Sequence, residues 1–199
     1  MPKDSVLIPE DLRPLLRQKA RHEYGHLISA RVMGFQTGEV TLRILSLDGH
    51  HIGTSEVMIH QPLREMSAIQ DYIERRVVIL FSGAMAEAPC ENDVGGDYVE
   101  QICFRSEGAA HDHGKIEELI GLHMNVSQPG KMSGHEVIEG RNRLYAELRR
   151  RSAALVKKEY ALIADLAAQH EAKLLELNRG WGYRHEEIEA MPQIQARFT

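Results

Sequence analysis

The chain has 199 residues, and its 24 Lys and Arg against 29 Asp and Glu give a formal net charge of −5 at pH 7. This length fits one domain or two small ones, and 43% hydrophobic with 27% charged residues excludes a chain that is disordered throughout. A mildly acidic balance with 6% aromatic residues argues against a nucleic-acid-binding surface, so we expect no nucleic-acid partner.

The sequence carries no signal for a membrane or for export. No stretch approaches the roughly 20 consecutive apolar residues that cross a bilayer, and the N-terminus lacks the apolar core of a signal peptide. Cys90 and Cys103 make neither a disulfide framework nor a Cys-x-x-Cys pair. We therefore expect a cytoplasmic protein with free thiols and no membrane span.

The first third of the chain predicts a tail, a helix and a β-hairpin. Residues 1–10 are predicted to form an N-terminal tail and residues 11–199 a single domain. A helix is predicted from about Asp11 to Gly34, because apolar residues recur near helical spacing and a glycine closes the stretch. Residues 39–45 and 51–59 flank an Asp-Gly turn, which indicates two paired strands.

The remainder is predicted to be helical. Helices are expected over residues 65–87 and 109–124, with an irregular connection over residues 90–108 between them. A long amphipathic helix is expected from about His135 to Asn178, and a short terminal helix after it. The predicted fold is therefore mainly α (α+β), with one small sheet.

The sequence His22-Glu23-Tyr24-Gly25-His26, on the first predicted helix, points to a metal site. Two histidines at positions i and i+4 lie on one face of a helix, so both imidazoles can reach one ion. Glu23 projects beside that face, where it can take a proton from a metal-bound water without being a ligand. Zinc is the metal that this arrangement favours.

The alternative interpretation is two surface histidines on a charged helix. Gly25 argues against it, because a glycine inside a helix costs about 1 kcal/mol relative to alanine. A second backbone packed closely against the metal helix would explain why a glycine is kept there.

The sequence leaves the third metal ligand open. A catalytic zinc takes three protein ligands and keeps one open position. The extended pattern HExxHxxGxxH is absent, since Ser29 and Val32 stand at its last two defined positions. His111, Asp112 and His113 stand together in a later predicted helix, and their residue types do not choose among them.

Four segments in order carry a family resemblance. They are ARHEYGHLISA at residues 20–30, the predicted hairpin, SGAMAEA at residues 82–88 and EGAAHD at residues 107–112. They resemble the peptidase domain of FtsH, the membrane-anchored, ATP-dependent zinc metalloprotease. The resemblance spans about Ala20 to Met191.

This resemblance implies a helical, zincin-like peptidase domain with a small sheet beside the metal helix and a long C-terminal amphipathic helix. It implies a zinc metalloendopeptidase that hydrolyses peptides or unfolded proteins. His22, His26 and Asp112 would bind Zn²⁺, and Glu23 would be the general base. Glu87 matches a glutamate of the family, where it would support a metal ligand or brace a helix.

The chain departs from FtsH in lacking a phosphate-binding GxxxxGK[ST] motif and a membrane span. We therefore expect it to act on peptides or unfolded proteins, or to receive substrates from a separate ATPase partner. An oligomer is compatible with the resemblance.

The alternative function is a catalytically silent, zinc-stabilised module that binds peptides or a partner. Glu23 favours the enzyme, because a purely structural metal needs no base. A metal-free structural domain would require both histidines to be accidental.

Overall fold

The structure is a computed structural model that describes residues 6–96, 107–127 and 133–198. Most of these residues are helical, and the strands form one small sheet. The helices are α1 (Arg13–Val32), α2 (Met66–Ala86), α3 (Glu107–Ser127), α4 (Gly134–Glu171), α5 (His185–Glu189) and α6 (Pro192–Phe198). The strands are β1 (Thr37–Ile44), β2 (His51–Val57) and β3 (Trp181–Tyr183), and 3₁₀ turns lie at Glu10–Leu12 and Glu91–Asp93. The predicted class, mainly α with a small sheet, is confirmed.

Local sequence signals fix the ends of α1 and the start of α4. Pro14 lies in the first turn of α1, where its missing N–H has no helical partner to lose. After α1, Gly34 takes a left-handed conformation with φ of 77°, which suits glycine. At the start of α4, Ser133 and Glu136 form a reciprocal capping box.

The sheet is antiparallel with the order β2-β1-β3. On β1, alternate side chains are buried, including Val40, Leu42 and Ile44. Within the described ranges β2 pairs only with β1, so its other edge is open.

Helix α1 lies at the centre of the packing. It contacts α2, α4 and the strands β1 and β2. The central cluster draws on α1, β1, the end of α2 and the second half of α4; its largest fully buried members include Tyr24, Leu27, Ile28, Leu42, Ile44 and Met85. Most of α1 is buried by these contacts, which position a site built on this helix.

The predicted end of the long helix is wrong. This helix ends at Glu171 rather than at Asn178, and residues 181–183 form a third strand that was not predicted from the sequence. After the helix the chain turns back along the sheet, where Asn178 adopts a positive φ of 61° and its N–H donates to the carbonyl of Ile44. Leu174 is buried in this non-helical segment, so the apolar spacing continues where the helix does not.

Residues 6–8, inside the predicted N-terminal tail, are attached to the segment after α4. The N–H of Ile8 donates to the carbonyl of Leu175 at 2.9 Å, and that of Leu177 to the carbonyl of Val6 at 2.8 Å. Most of the connection predicted over residues 90–108, including Cys103, lies outside the described residues, whereas Cys90 is exposed with a free thiol. None of the helices in the described residues combines the length and the hydropathy that a membrane span needs.

Candidate metal centre

The helix that carries the two histidines is covered closely by α2. A Cβ atom at Gly25 would lie 2.5 Å from the carbonyl oxygen of Ser82 and 2.7 Å from Cβ of Ala86. Only a glycine allows the two backbones to approach this closely. The close approach of a second backbone, predicted from Gly25, is therefore confirmed.

Three side-chain atoms converge on the face of α1 that carries the histidines. Nε2 of His22 lies 3.1 Å from Nε2 of His26. Oδ2 of Asp112, on α3, lies 2.9 Å from Nε2 of His26 and 3.4 Å from Nε2 of His22. In the described part of the chain these three residues are the one group with the geometry to hold a metal ion.

Of the three residues that the sequence left open, α3 brings Asp112 to the histidines. His111 is exposed and lies in the wall of the surrounding cleft. His113 faces along α3, where its Nε2 lies 3.8 Å from a carboxylate oxygen of Glu117. The position of Asp112 agrees with the role that the FtsH resemblance implies for it.

Hydrogen bonds behind the two rings fix which nitrogen faces the centre. Nδ1 of His26 lies 2.9 Å from the carbonyl oxygen of Ile79, which can only accept a hydrogen bond. Nδ1 of His22 lies 2.8 Å from Oε1 of Glu87. Burial raises the pKa of Glu87, but the hydrogen bond from His22 and the charges of His22 and Lys19 outweigh it and lower this pKa to about 2. Both Nδ1 atoms therefore carry hydrogens, and in neutral rings both Nε2 atoms present lone pairs.

The chemistry of this donor set fits a cation. Two imidazole lone pairs and one carboxylate oxygen within 3.4 Å of one another repel unless a positive charge lies among them. In the protein without metal a proton supplies that charge: burial lowers the pKa of His22, but hydrogen bonds to Asp112 and Glu87 raise it to about 10. Burial raises the pKa of Asp112, yet the two histidines hold it well below its usual range.

Gly83, on α2, leaves room beside the two imidazoles. A Cβ atom there would collide with Nε2 of His26 and would lie 2.8 Å from Nε2 of His22. A side chain at this position would therefore fill the space beside these two nitrogens. The residues present fit a bound metal ion.

Glu87 joins the metal helix to the end of α2. It is 1% exposed, and Oε2 accepts hydrogen bonds from Nε2 of Gln18 at 2.7 Å and from Nζ of Lys19 at 2.9 Å. Its other oxygen is bonded to His22. The two roles that the sequence left open for Glu87, supporting a ligand and bracing a helix, are thus compatible in one side chain.

Glu23 lies next to His22 and His26 and against β2. Its side chain is nearly buried, and a Cβ atom at Gly53 would collide with its Oε1. No hydrogen-bond partner of its carboxylate is found in residues 6–96, 107–127 and 133–198. Burial raises the pKa of Glu23, and the neighbouring His22 and His26 oppose this effect only in part.

A cleft of about 670 Å³ opens over these groups. Its floor is α1, one wall is the β1–β2 turn with β2, and the other wall is the start of α3. The open edge of β2 runs along this cleft, so an extended peptide can lie over the site.

Sequence reasoning missed several supporting groups of the centre. Lys19 stands three residues before His22, a helical spacing that places both on one side of α1 and could have singled it out. Gly83 lies within a segment that carried the resemblance, but its packing was not foreseen. The carbonyl of Ile79 is a backbone group, and no sequence pattern marks it.

Comparisons with models of known protein families and with curated proteins found no match to this chain.

Proposed function

We propose that this chain is a zinc metalloendopeptidase, related to the peptidase domain of FtsH, that hydrolyses peptides or unfolded proteins. The observation that carries the proposal is the convergence of His22, His26 and Asp112 beside Glu23, a carboxylate without a hydrogen-bond partner among the described residues. Metal-assisted hydrolysis requires protein ligands for the metal, here two imidazoles and one carboxylate, and a separate carboxylate that can accept a proton, here Glu23.

Zinc is the metal that the donor set favours, because two histidines and one carboxylate are ligands of catalytic zinc sites. Bound zinc lowers the pKa of a water molecule toward neutrality and polarises a carbonyl group. His22 and His26 would hold the ion through Nε2, with their tautomers fixed by Glu87 and the carbonyl of Ile79.

Glu23 is the group that moves protons in this proposal. Its carboxylate accepts a proton from the attacking water and passes it to the nitrogen of the leaving amine. Gly53 allows the carboxylate to lie between the metal ligands and β2, where the water and the scissile bond would meet.

The edge of β2 would bind the substrate backbone. An extended segment that adds to this edge pairs its main chain with β2 and presents successive carbonyl groups along the cleft. Such binding selects for extended chains. Suitable substrates are therefore peptides, unfolded proteins, or proteins that a separate ATPase partner has unfolded. The expected cytoplasmic location belongs to the same proposal.

The test is cleavage of unfolded casein without ATP by the zinc-loaded chain, compared with Glu23→Gln. We expect cleavage by the wild type, none by Glu23→Gln, and equal zinc content in both. Glu147→Gln, an exposed change on α4, is the matched control and should cleave like the wild type.

Two outcomes would contradict the proposal. Equal cleavage by wild type and Glu23→Gln would remove Glu23 as the base. Stoichiometric zinc with no cleavage of casein or of short peptides would favour the zinc-stabilised binding module instead.

A further inference from the structure

The chemistry of peptide hydrolysis leaves one demand that Glu23 does not meet. When water adds to the scissile carbonyl, the electron pair of the C=O π bond moves to oxygen and creates an oxyanion. A hydrogen-bond donor placed at that oxygen stabilises the transition state, and removal of such a donor typically costs about 10²–10³ in kcat. The wall of the cleft contains several side chains that carry a hydrogen-bond donor.

Two side chains of the cleft are less suitable. The amino group of Lys19 donates to Oε2 of Glu87 at 2.9 Å, and its side chain is only 10% exposed, which leaves little room for a substrate at its remaining N–H groups. Nδ1 of His51 lies 3.1 Å from the carbonyl oxygen of Gly49, so this nitrogen carries the hydrogen. Burial lowers the pKa of His51, which leaves its ring neutral and its Nε2 an acceptor.

The α3 wall offers His111 and Lys115. Lys115 stands three residues after Asp112, about one helical turn further along the same side of α3. His111 precedes Asp112 directly and is turned about 100° away from it around the helix.

Lys115 forms an ion pair with Asp112, and its side chain stays exposed. Its Nζ lies 3.5 Å from Oδ1 of Asp112, the oxygen that does not face the histidines. Its side chain is 46% exposed and contributes to the lining of the cleft. The amino group of a lysine has three N–H donors, so contact with Asp112 leaves donors for a second acceptor.

We propose that Lys115 is a catalytic residue that donates a hydrogen bond to the oxyanion of the tetrahedral intermediate; this inference rests on the proposed peptidase function. The bond from the water oxygen to the carbonyl carbon forms as the π electron pair moves to the carbonyl oxygen, and Lys115 donates to that oxygen without giving up its proton. When the pair returns, the C–N bond breaks and Glu23 delivers its proton to the amine nitrogen.

The experiment compares wild type, Lys115→Met, Lys115→Arg and the control Lys157→Met, an exposed change on α4. Each zinc-loaded protein is assayed for kcat and KM on a fluorogenic peptide and for its affinity for a phosphinic peptide, a stable mimic of the tetrahedral intermediate. Zinc content is measured in parallel.

We expect Lys115→Met to lose about 100-fold in kcat with KM within about twofold. Its affinity for the phosphinic peptide should fall in parallel, its zinc content should stay unchanged, and Lys115→Arg should recover part of the rate. Lys157→Met should match the wild type throughout.

The outcomes separate this inference from the proposed function. If the wild type cleaves and Lys115→Met cleaves equally fast, or loses zinc in proportion to its rate, the catalytic role of Lys115 is wrong while the peptidase stands. If KM rises and kcat is unchanged, Lys115 binds substrate and the inference is likewise wrong. If the zinc-loaded wild type cleaves nothing, the proposed function fails and this inference fails with it.

Discussion

Acid should destabilise this protein through His170, a buried residue remote in sequence from the candidate metal centre. His170 is 0% exposed, and its Nε2 lies 3.1 Å from the carbonyl oxygen of Trp181, so this nitrogen donates. Its Nδ1, 3.1 Å from the hydroxyl of Tyr24, therefore accepts. Burial lowers the pKa of His170 from 6.5 to about 4, although the hydrogen bond to Trp181 opposes the change.

The sign of the effect follows from proton binding in the two states. Between pH 6.5 and about pH 4 the unfolded chain protonates this imidazole and the native protein does not. Above pH 6.5 the neutral ring therefore makes its full contribution to the free energy of unfolding. This contribution is lost as the pH falls from 6.5 to about 4. At roughly 1.4 kcal/mol per pH unit, the loss amounts to about 3 kcal/mol.

Urea unfolding of the metal-free protein at pH 7, 6, 5 and 4 measures this loss. The wild type is compared with His170→Gln, which cannot titrate at this position, and with His135→Gln, whose exposed imidazole serves as the control. We compare the free energy of unfolding of the wild type with that of His170→Gln at each pH. The difference between them should decrease by about 3 kcal/mol from pH 7 to pH 4. A difference that is constant over this range would refute the reasoning.

Two further predictions concern the metal centre. Gly83→Ala should lower zinc affinity by about 100-fold or more, because the new Cβ atom collides with Nε2 of His26, although alanine favours the helix by about 1 kcal/mol. The control is Gly121→Ala, whose Cβ atom meets no atom within 4 Å and which should bind zinc like the wild type. Calorimetric titration with zinc measures both affinities. Asp112→Asn should lower zinc affinity by at least about tenfold while His111→Ala and His113→Ala keep it, and loss of zinc in either histidine variant alone would move the third ligand.

The part of the site that could be predicted from sequence is the part set by local helix geometry. The spacing of His22 and His26 places both on one face of a helix, and Gly25 indicates a neighbouring backbone; the structure has both features. The third ligand could not be derived in this way, because Asp112 reaches the histidines through the packing of α3 on α2. Residue types alone favoured no member of the His-Asp-His group, and only the family resemblance chose Asp112.

The fold shows the same division between local and tertiary information. The hairpin and the helices follow from periodicity and turn residues, whereas the end of α4 does not. Leu174 keeps the helical spacing of apolar residues but is buried by the chain that turns back along the sheet. The three residues of β3 are too few to show alternation, and they pair with β1 only because that turn brings them there.

X-ray absorption at the zinc edge, recorded on the protein loaded with one equivalent of zinc, identifies the atoms that bind the metal. We expect two imidazole nitrogens and one carboxylate oxygen as protein ligands, with a water oxygen completing four-coordination at about 2.0–2.2 Å. Failure to bind zinc, a sulfur ligand, a third imidazole, or a fourth protein ligand that closes the site would contradict this expectation.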